Sequence, residues 1–393
     1  MNEAEIQRAR RETRGIKTCI HFNNAGSSLI SAPVADYLYG FLREEEIKGG
    51  YETASLREME LENFYIRVAE LINARPEEIA FVENATRAWD MIFYSIPLKA
   101  GDQIITVRSE YGSNVIAYLH RAKLAGAELV IVENNEHGEP DTNQLKKLIN
   151  EKTKLISISH IPTGGGLVNP AKKIGEIANE HEIPFLLDAC QSVGQMLVDV
   201  NEIGCDFLSA TGRKFLRGPR GTGFLYVKQK WIERLDPPLI DQFAANLIDE
   251  KTYLLRKDAR KFENWERYFA GQATLGKAIE YAMDFGVSKI QKRIFKIADT
   301  LRKELRDISE VEITDQGLVQ CGIVTFRHAK INAKVIKSEL ARKQINVSVS
   351  SGSGSLLSFM ERRIDSVVRA SLHYYNTEEE LEHFLSELKQ LAS

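Results

Sequence analysis

Only four cysteines occur in 393 residues, Cys19, Cys190, Cys205 and Cys321, and no two form a CxxC pair. That spacing offers neither a zinc site nor a disulfide framework, and it suits a chain kept reduced. Long apolar runs are lacking too: none approaches the ~20 residues needed to span a bilayer. The start, Met1-Asn2-Glu3-Ala4-Glu5, has neither the basic nor the apolar region of a secretory signal, so a cytoplasmic location is expected. A formal net charge of −3 gives no basis for nucleic acid or an anionic membrane as partner. Repeats and low-complexity tracts are absent as well. What is present is ordinary globular material, 43% hydrophobic and 27% charged, long enough for one large domain and a smaller second one.

Short apolar runs alternate with helical spacing. Ile79-Ala80-Phe81-Val82, Gln103 to Val107, Glu128 to Val132 and Leu155 to Ser159 read as strands, with helical runs near 143–150 and 170–181. This β-α-β rhythm predicts a parallel sheet. Beyond Asp236-Pro237-Pro238 the composition shifts. Strands are expected at 311–314, 322–326 and 345–349, with helices at 275–285, 287–308, 332–342 and 377–391. The reading is an α/β large domain over 16–260, with 1–15 and 261–393 forming a small α+β domain.

Most of the chemistry falls between Phe185 and Val227. A buried strand, Phe185-Leu186-Leu187, ends in Asp188-Ala189-Cys190-Gln191, and a second, Phe207-Leu208-Ser209-Ala210, leads into Thr211-Gly212-Arg213-Lys214. Open α/β sheets hold ligands at the carboxyl ends of their strands. A cofactor with a basic ring nitrogen, an aldehyde and a phosphate would use every part of this pattern. Asp188 would pair with the protonated ring nitrogen, and Lys214 would supply the amine for a Schiff base. Thr211, Arg213 and nearby backbone N–H groups would hold the phosphate.

Asp188-x-x-Gln191 followed by Thr211-Gly212-Arg213-Lys214 resembles the class V aminotransferase family of pyridoxal-phosphate fold type I enzymes, from about Phe22 to the final helix. The resemblance implies pyridoxal 5′-phosphate, an amino-acid substrate and a homodimer. It places Ala85, Thr86 and Arg87 on the cofactor phosphate, with Gln191 as a further cofactor contact. The segment around Asn24 borders the substrate. Many relatives have a histidine near Gly112 that stacks on the cofactor ring. None stands here, and Tyr111 or Trp89 is the aromatic alternative. Thr163 falls where relatives often have an asparagine bonded to the ring oxygen. His160 reads as a structural histidine. Trp265 and Arg267 lie where a relative's loop reaches across a dimer. Arg369, in Arg369-Ala370-Ser371 before Tyr375-Asn376-Thr377, corresponds to the arginine that grips an α-carboxylate; Asp365 is the competing partner.

Cysteine desulfurases of this family carry a nucleophilic cysteine just upstream of that arginine. Here the stretch is Val349-Ser350-Ser351-Gly352-Ser353-Gly354-Ser355, which argues against a desulfurase. The segment Thr211 to Gly221 looks most like the hercynylcysteine sulfoxide lyase and C–S lyase branch. The expected reaction is therefore β-elimination to pyruvate and ammonia, with Lys214 as acid and base. An epimerase, using His373 or Tyr111 as a second acid/base, and a transaminase are the alternatives.

Overall fold

In the computed structural model, which describes residues 1–392, seven strands make the large sheet. They are β1 (Ile79–Val82), β2 (Gln103–Val107), β3 (Glu128–Val132), β4 (Thr153–Ser159), β5 (Phe185–Asp188), β6 (Phe207–Thr211) and β7 (Gly223–Val227). Their order is β1-β7-β6-β5-β4-β2-β3. Strands β2 to β6 are parallel, β7 runs antiparallel to β6, and β1 runs antiparallel to β7. Alternate residues feed opposite faces, as the two-residue period of a strand requires. Ile105, Ile156, Leu187 and Leu208 enter one apolar core, while Ile104, Leu155, Leu186 and Phe207 enter the other. This double burial explains the nearly unbroken apolar runs.

Four antiparallel strands make a second sheet: β8 (Val311–Ile313), β9 (Ile323–His328), β10 (Ser348–Ser351) and β11 (Ser366–Ser371), in the order β8-β9-β11-β10. Its core draws on Phe22 and on residues from Ile297 to Leu388. The segment Ile20–His21 pairs in parallel with Ile345–Asn346, so the chain start runs beside this unit. The sequence reading divides the domains at 260/261, but the cores change over later. Leu275 and Ile279 of one helix, then Ile290 and Ile294 of the helix Val287–Arg306, pack with the large sheet; from Ile297 most apolar residues join the second core, though Cys321, Ile323, Tyr374 and Tyr375 stay with the first.

Three helices matter for the site: α1 (Ala85–Phe93), α2 (Gly112–Ala125) and α3 (Gly352–Glu361). The expected strand at 345–349 is split, because Ile345–Asn346 and Ser348–Ser351 take different partners. Helix α3, whose Gly/Ser-rich start reads as loop, packs down on α2. A side chain at Gly112 would collide with the Ser353 carbonyl, so only glycine allows this approach. Among the described residues no helix is long and apolar enough to cross a membrane.

Candidate functional site

Strand ends β1, β2, β4, β5 and β6 open on one cavity, lined among others by Asn84, Tyr111, Thr163, Asp188, Cys190 and Lys214. Asp188 terminates β5 and is 7% exposed. Its Oδ1 accepts the Cys190 N–H at 3.0 Å and its Oδ2 accepts Asn114 Nδ2 at 3.1 Å. Lys214 follows β6 and donates no hydrogen bond among the described residues. Burial pushes its ammonium below the usual value; Arg213 adds to the shift, and Cys190 and Asp188 oppose it.

The opposite end of the cavity is the start of α1. Asn84 caps this helix, its Oδ1 accepting the Arg87 N–H at 2.9 Å. The N–H groups of Ala85 and Thr86 belong to the first turn and have no intrahelical acceptor, which makes an anion site. Glycine at 223 is needed here as well, since a Cβ would lie 2.6 Å from the Ala210 oxygen and 3.3 Å from the Ala85 nitrogen. Arg87 does not join the cradle. Its N–H is engaged by Asn84, and its guanidinium bonds Asn264 Oδ1 at 3.0 Å. Thr211, Arg213 and Gln191 line the cavity as expected, with Gln191 Oε1 buried and unpartnered. The Arg213 guanidinium hydrogen-bonds the Gly26 carbonyl.

Behind Asp188 lies a polar cluster that the sequence reading missed. Glu110, 1% exposed, accepts from Ser159 Oγ at 2.5 Å, Tyr111 N at 2.7 Å and Asn114 Nδ2 at 3.0 Å, all on Oε1. Its Oε2 accepts from Thr106 Oγ1 at 3.1 Å and Tyr118 OH at 3.3 Å. Burial pushes this carboxyl up to about 7; Ser159 opposes the shift and Asp188 adds to it. A carboxyl raised in the folded state binds its proton more tightly there, so its contribution to stability falls as pH rises from about 4.5 to about 7. The melting temperature of wild type relative to Glu110→Gln should accordingly be most favourable at about pH 4.5 and below. It should decline by pH 7.5, over a range of at most about 3 kcal/mol. A difference independent of pH would contradict this.

Tyr111 caps α2, lines the cavity and is 36% exposed. Trp89, the other aromatic considered, is stacked on Phe93 at 4.5 Å within the core and cannot face the ring. Arg369 lies on β11, 7% exposed, and donates to Thr163 Oγ1 at 2.6 Å and Thr163 O at 3.1 Å. Its Nη2 points to Asn23 Oδ1 at 3.5 Å, its Nε is unpartnered, and among the described residues no acid pairs with it, Asp365 included. Burial, and then Arg213, lower its pKa to about 10. Thr163 therefore supports the arginine. Asn24 is turned away from the site: it is fully buried, with its amide bonded to His21 O, Ser371 O and Tyr375 OH. Asn23 occupies the place expected of it.

His373 is excluded as a second acid/base. It is fully buried, its ring bonded to Phe215 O and Tyr374 N, and burial holds it well below the ordinary histidine range. His160 is likewise structural; burial lowers it to about 4. Trp265 is 46% exposed, and the Arg267 guanidinium lies over Phe243 and Phe269.

These observations fit pyridoxal 5′-phosphate. Unbonded Lys214 shares a cavity with the carboxylate of Asp188, an orphaned amide oxygen sits beside them, and a helix start with open N–H groups lies at the far end. Comparison with known proteins agrees. The family model described as aminotransferase class-V matches residues 20–384. A probable cysteine desulfurase of Pyrococcus abyssi is 30% identical, covering 95% of this chain and 94% of its own. A probable cysteine desulfurase of Synechocystis is 31% identical, covering 94% and 90%. The solved apo structure of a cysteine desulfurase from Thermococcus onnurineus NA1 is 26% identical, with a TM-score of 0.91 over 98% of this chain and 97% of that one. A C-DES variant with glycine covalently linked to its PLP cofactor shares the fold, with a TM-score of 0.86 at 19% identity over 97% of this chain and 98% of that one. The cofactor of this chain is pyridoxal 5′-phosphate.

One expectation is overturned. The assignment to β-elimination with release of pyruvate and ammonia rested on the likeness of Thr211 to Gly221 to the C–S lyase branch, and the exclusion of desulfuration on a serine-containing segment where desulfurases have cysteine. Relatives matching nearly the whole chain at about 30% identity are named cysteine desulfurase. Two short segments carried more weight in that assignment than the rest of the chain allows.

Proposed function

Since the chain belongs to the class V aminotransferase family, we propose that it removes sulfur from cysteine and leaves alanine. The observation that carries this reading is the near full-length likeness to chains named probable cysteine desulfurase, on a site where Lys214 and Asp188 share one cavity and Arg369 bonds Thr163 of its lining. Pyridoxal phosphate supplies the electron sink that weakens bonds around the α-carbon of a bound amino acid. The protein supplies everything else. Ala85, Thr86 and Thr211 hold the phosphate, Asp188 keeps the ring nitrogen protonated, and Tyr111 covers one face of the ring. Arg369 orients the substrate by its carboxylate, and Asn23 and Thr163 hold the guanidinium in place. Lys214, with an ammonium already destabilised by burial, moves the proton at the α-carbon.

The sulfur needs an acceptor. Segment 349–355 has no thiol, and burial beside Asp188 pushes the Cys190 thiol well up, away from the thiolate form a nucleophile needs. The acceptor in this proposal is therefore a separate thiol. The substrate C–S bond breaks, the β-carbon takes a proton, and the acceptor RSH leaves as the persulfide RSSH. Incubation with L-cysteine and a small thiol should give alanine and reducible sulfur in equal amounts. Pyruvate and ammonia without alanine, or inversion at the α-carbon alone, would overturn it. A cytoplasmic homodimer belongs to the same proposal. Exposed Tyr39, Leu42, Ile47, Tyr51, Leu56 and Met59 give it an apolar face.

A further inference from the structure

We infer that Glu110 is the positioning residue of this site, fixing at once the acid that would meet the cofactor's ring nitrogen and the aromatic that would cover the ring. The inference rests on the cofactor and is independent of which amino acid the site takes. Glu110 Oε1 receives the backbone N–H of Tyr111 at 2.7 Å, which sets the turn from which that ring projects. The same oxygen receives Asn114 Nδ2 at 3.0 Å, and that NH2 group reaches Asp188 Oδ2 at 3.1 Å. One amide thus ties two buried carboxyls together, giving each a donor. Ser159 Oγ, at 2.5 Å from the end of β4, holds Glu110 against the sheet.

No lysine or arginine pairs with Glu110 among the described residues, while Asp188 faces Lys214 and Cys190 on its cavity side. The titratable groups facing Glu110 are Asp188 from β5 and Tyr118 from α2. A change at Glu110 is therefore transmitted to Asp188 through a neutral amide, and Asp188 is the group that sets the protonation of the ring nitrogen. Side chains that orient the ligating groups of a site influence binding as strongly as many direct contacts. Gln at 110 keeps the shape but not the charge: with its carbonyl toward Ser159, Asn114 and the Tyr111 N–H, its NH2 faces Thr106 Oγ1 and Tyr118 OH, which must turn from donors into acceptors, and Asp188 loses its carboxyl neighbour.

The test uses the full chain reconstituted with pyridoxal phosphate. In Glu110→Gln the pH midpoint of the bound cofactor's absorption band should move by about one unit or more. Cofactor affinity should fall about ten-fold, the lower end of the 10–100-fold loss that outer-shell bonds cause at metal sites. Asn114→Leu, which cuts only the link to Asp188, should move the midpoint in the same direction and decides the matter if Glu110→Gln does not fold. Glu263→Gln is the control for losing a buried carboxyl. Glu263 is also raised to about 7 by burial, but it bonds Tyr65 and the Phe81 N–H. Its variant should melt earlier while leaving the midpoint in place. A wild-type midpoint and affinity in folded Glu110→Gln, or in Asn114→Leu, would overturn the inference.

Discussion

Lys214→Ala should lower turnover by about 10²–10⁴-fold, the range that a positioned acid/base contributes, while the chain stays folded and still takes up cofactor. The Lys214 amine makes no hydrogen bond among the described residues, and burial already disfavours its charged form. Removing it leaves no partner unsatisfied, so the melting temperature of the apo chain should hold or rise. The phosphate cradle at Ala85 and Thr86 and the carboxylate of Asp188 are untouched, and non-covalent cofactor binding should persist. Activity assays and calorimetry on the same preparation check both halves. Loss of activity accompanied by unfolding would assign Lys214 a structural role instead.

The second large effect is expected at Arg369. Buried guanidinium groups normally meet an acid, yet this one finds only Thr163 and Asn23, with Nε unpartnered. Such an arrangement favours a chain that receives an anion from outside. Arg369→Met should raise KM for the amino acid by about 30- to several thousand-fold, the equivalent of roughly 2–5 kcal/mol for truncating a buried charge pair. It should leave cofactor binding unchanged and stabilise the apo chain, because an uncompensated charge has gone. A variant with normal KM and lower stability would make Arg369 a structural residue.

Much of this site was legible in the residues because its key groups stand where apolar runs stop. Asp188 and Lys214 each follow a strand that has no other reason to end in a charged group, and the structure brings them to one cavity. Pairings made only in three dimensions were not legible. Glu110 reads as an acid in a loop after β2, and nothing in the order of residues reveals that Ser159, Asn114 and Tyr118 converge on it. Asn23 and Asn24 are neighbours with equal claims on paper; the bridge between Asn23 and Ser371 aims the Asn23 side chain at Arg369 and buries the Asn24 amide. Helix α3 was missed because Gly352-Ser353-Gly354-Ser355 has a loop's composition, and packing on α2 overrides that propensity. The reaction was misread because two short segments, the thiol-free 349–355 and the lyase-like Thr211 to Gly221, were set against the whole chain.

Borohydride reduction after reconstitution with pyridoxal phosphate, followed by peptide mass analysis, tests the central claim most directly. The modification should appear on the peptide carrying Lys214 and vanish in Lys214→Ala. Trapping at another lysine, with Lys214 unmodified, would contradict it.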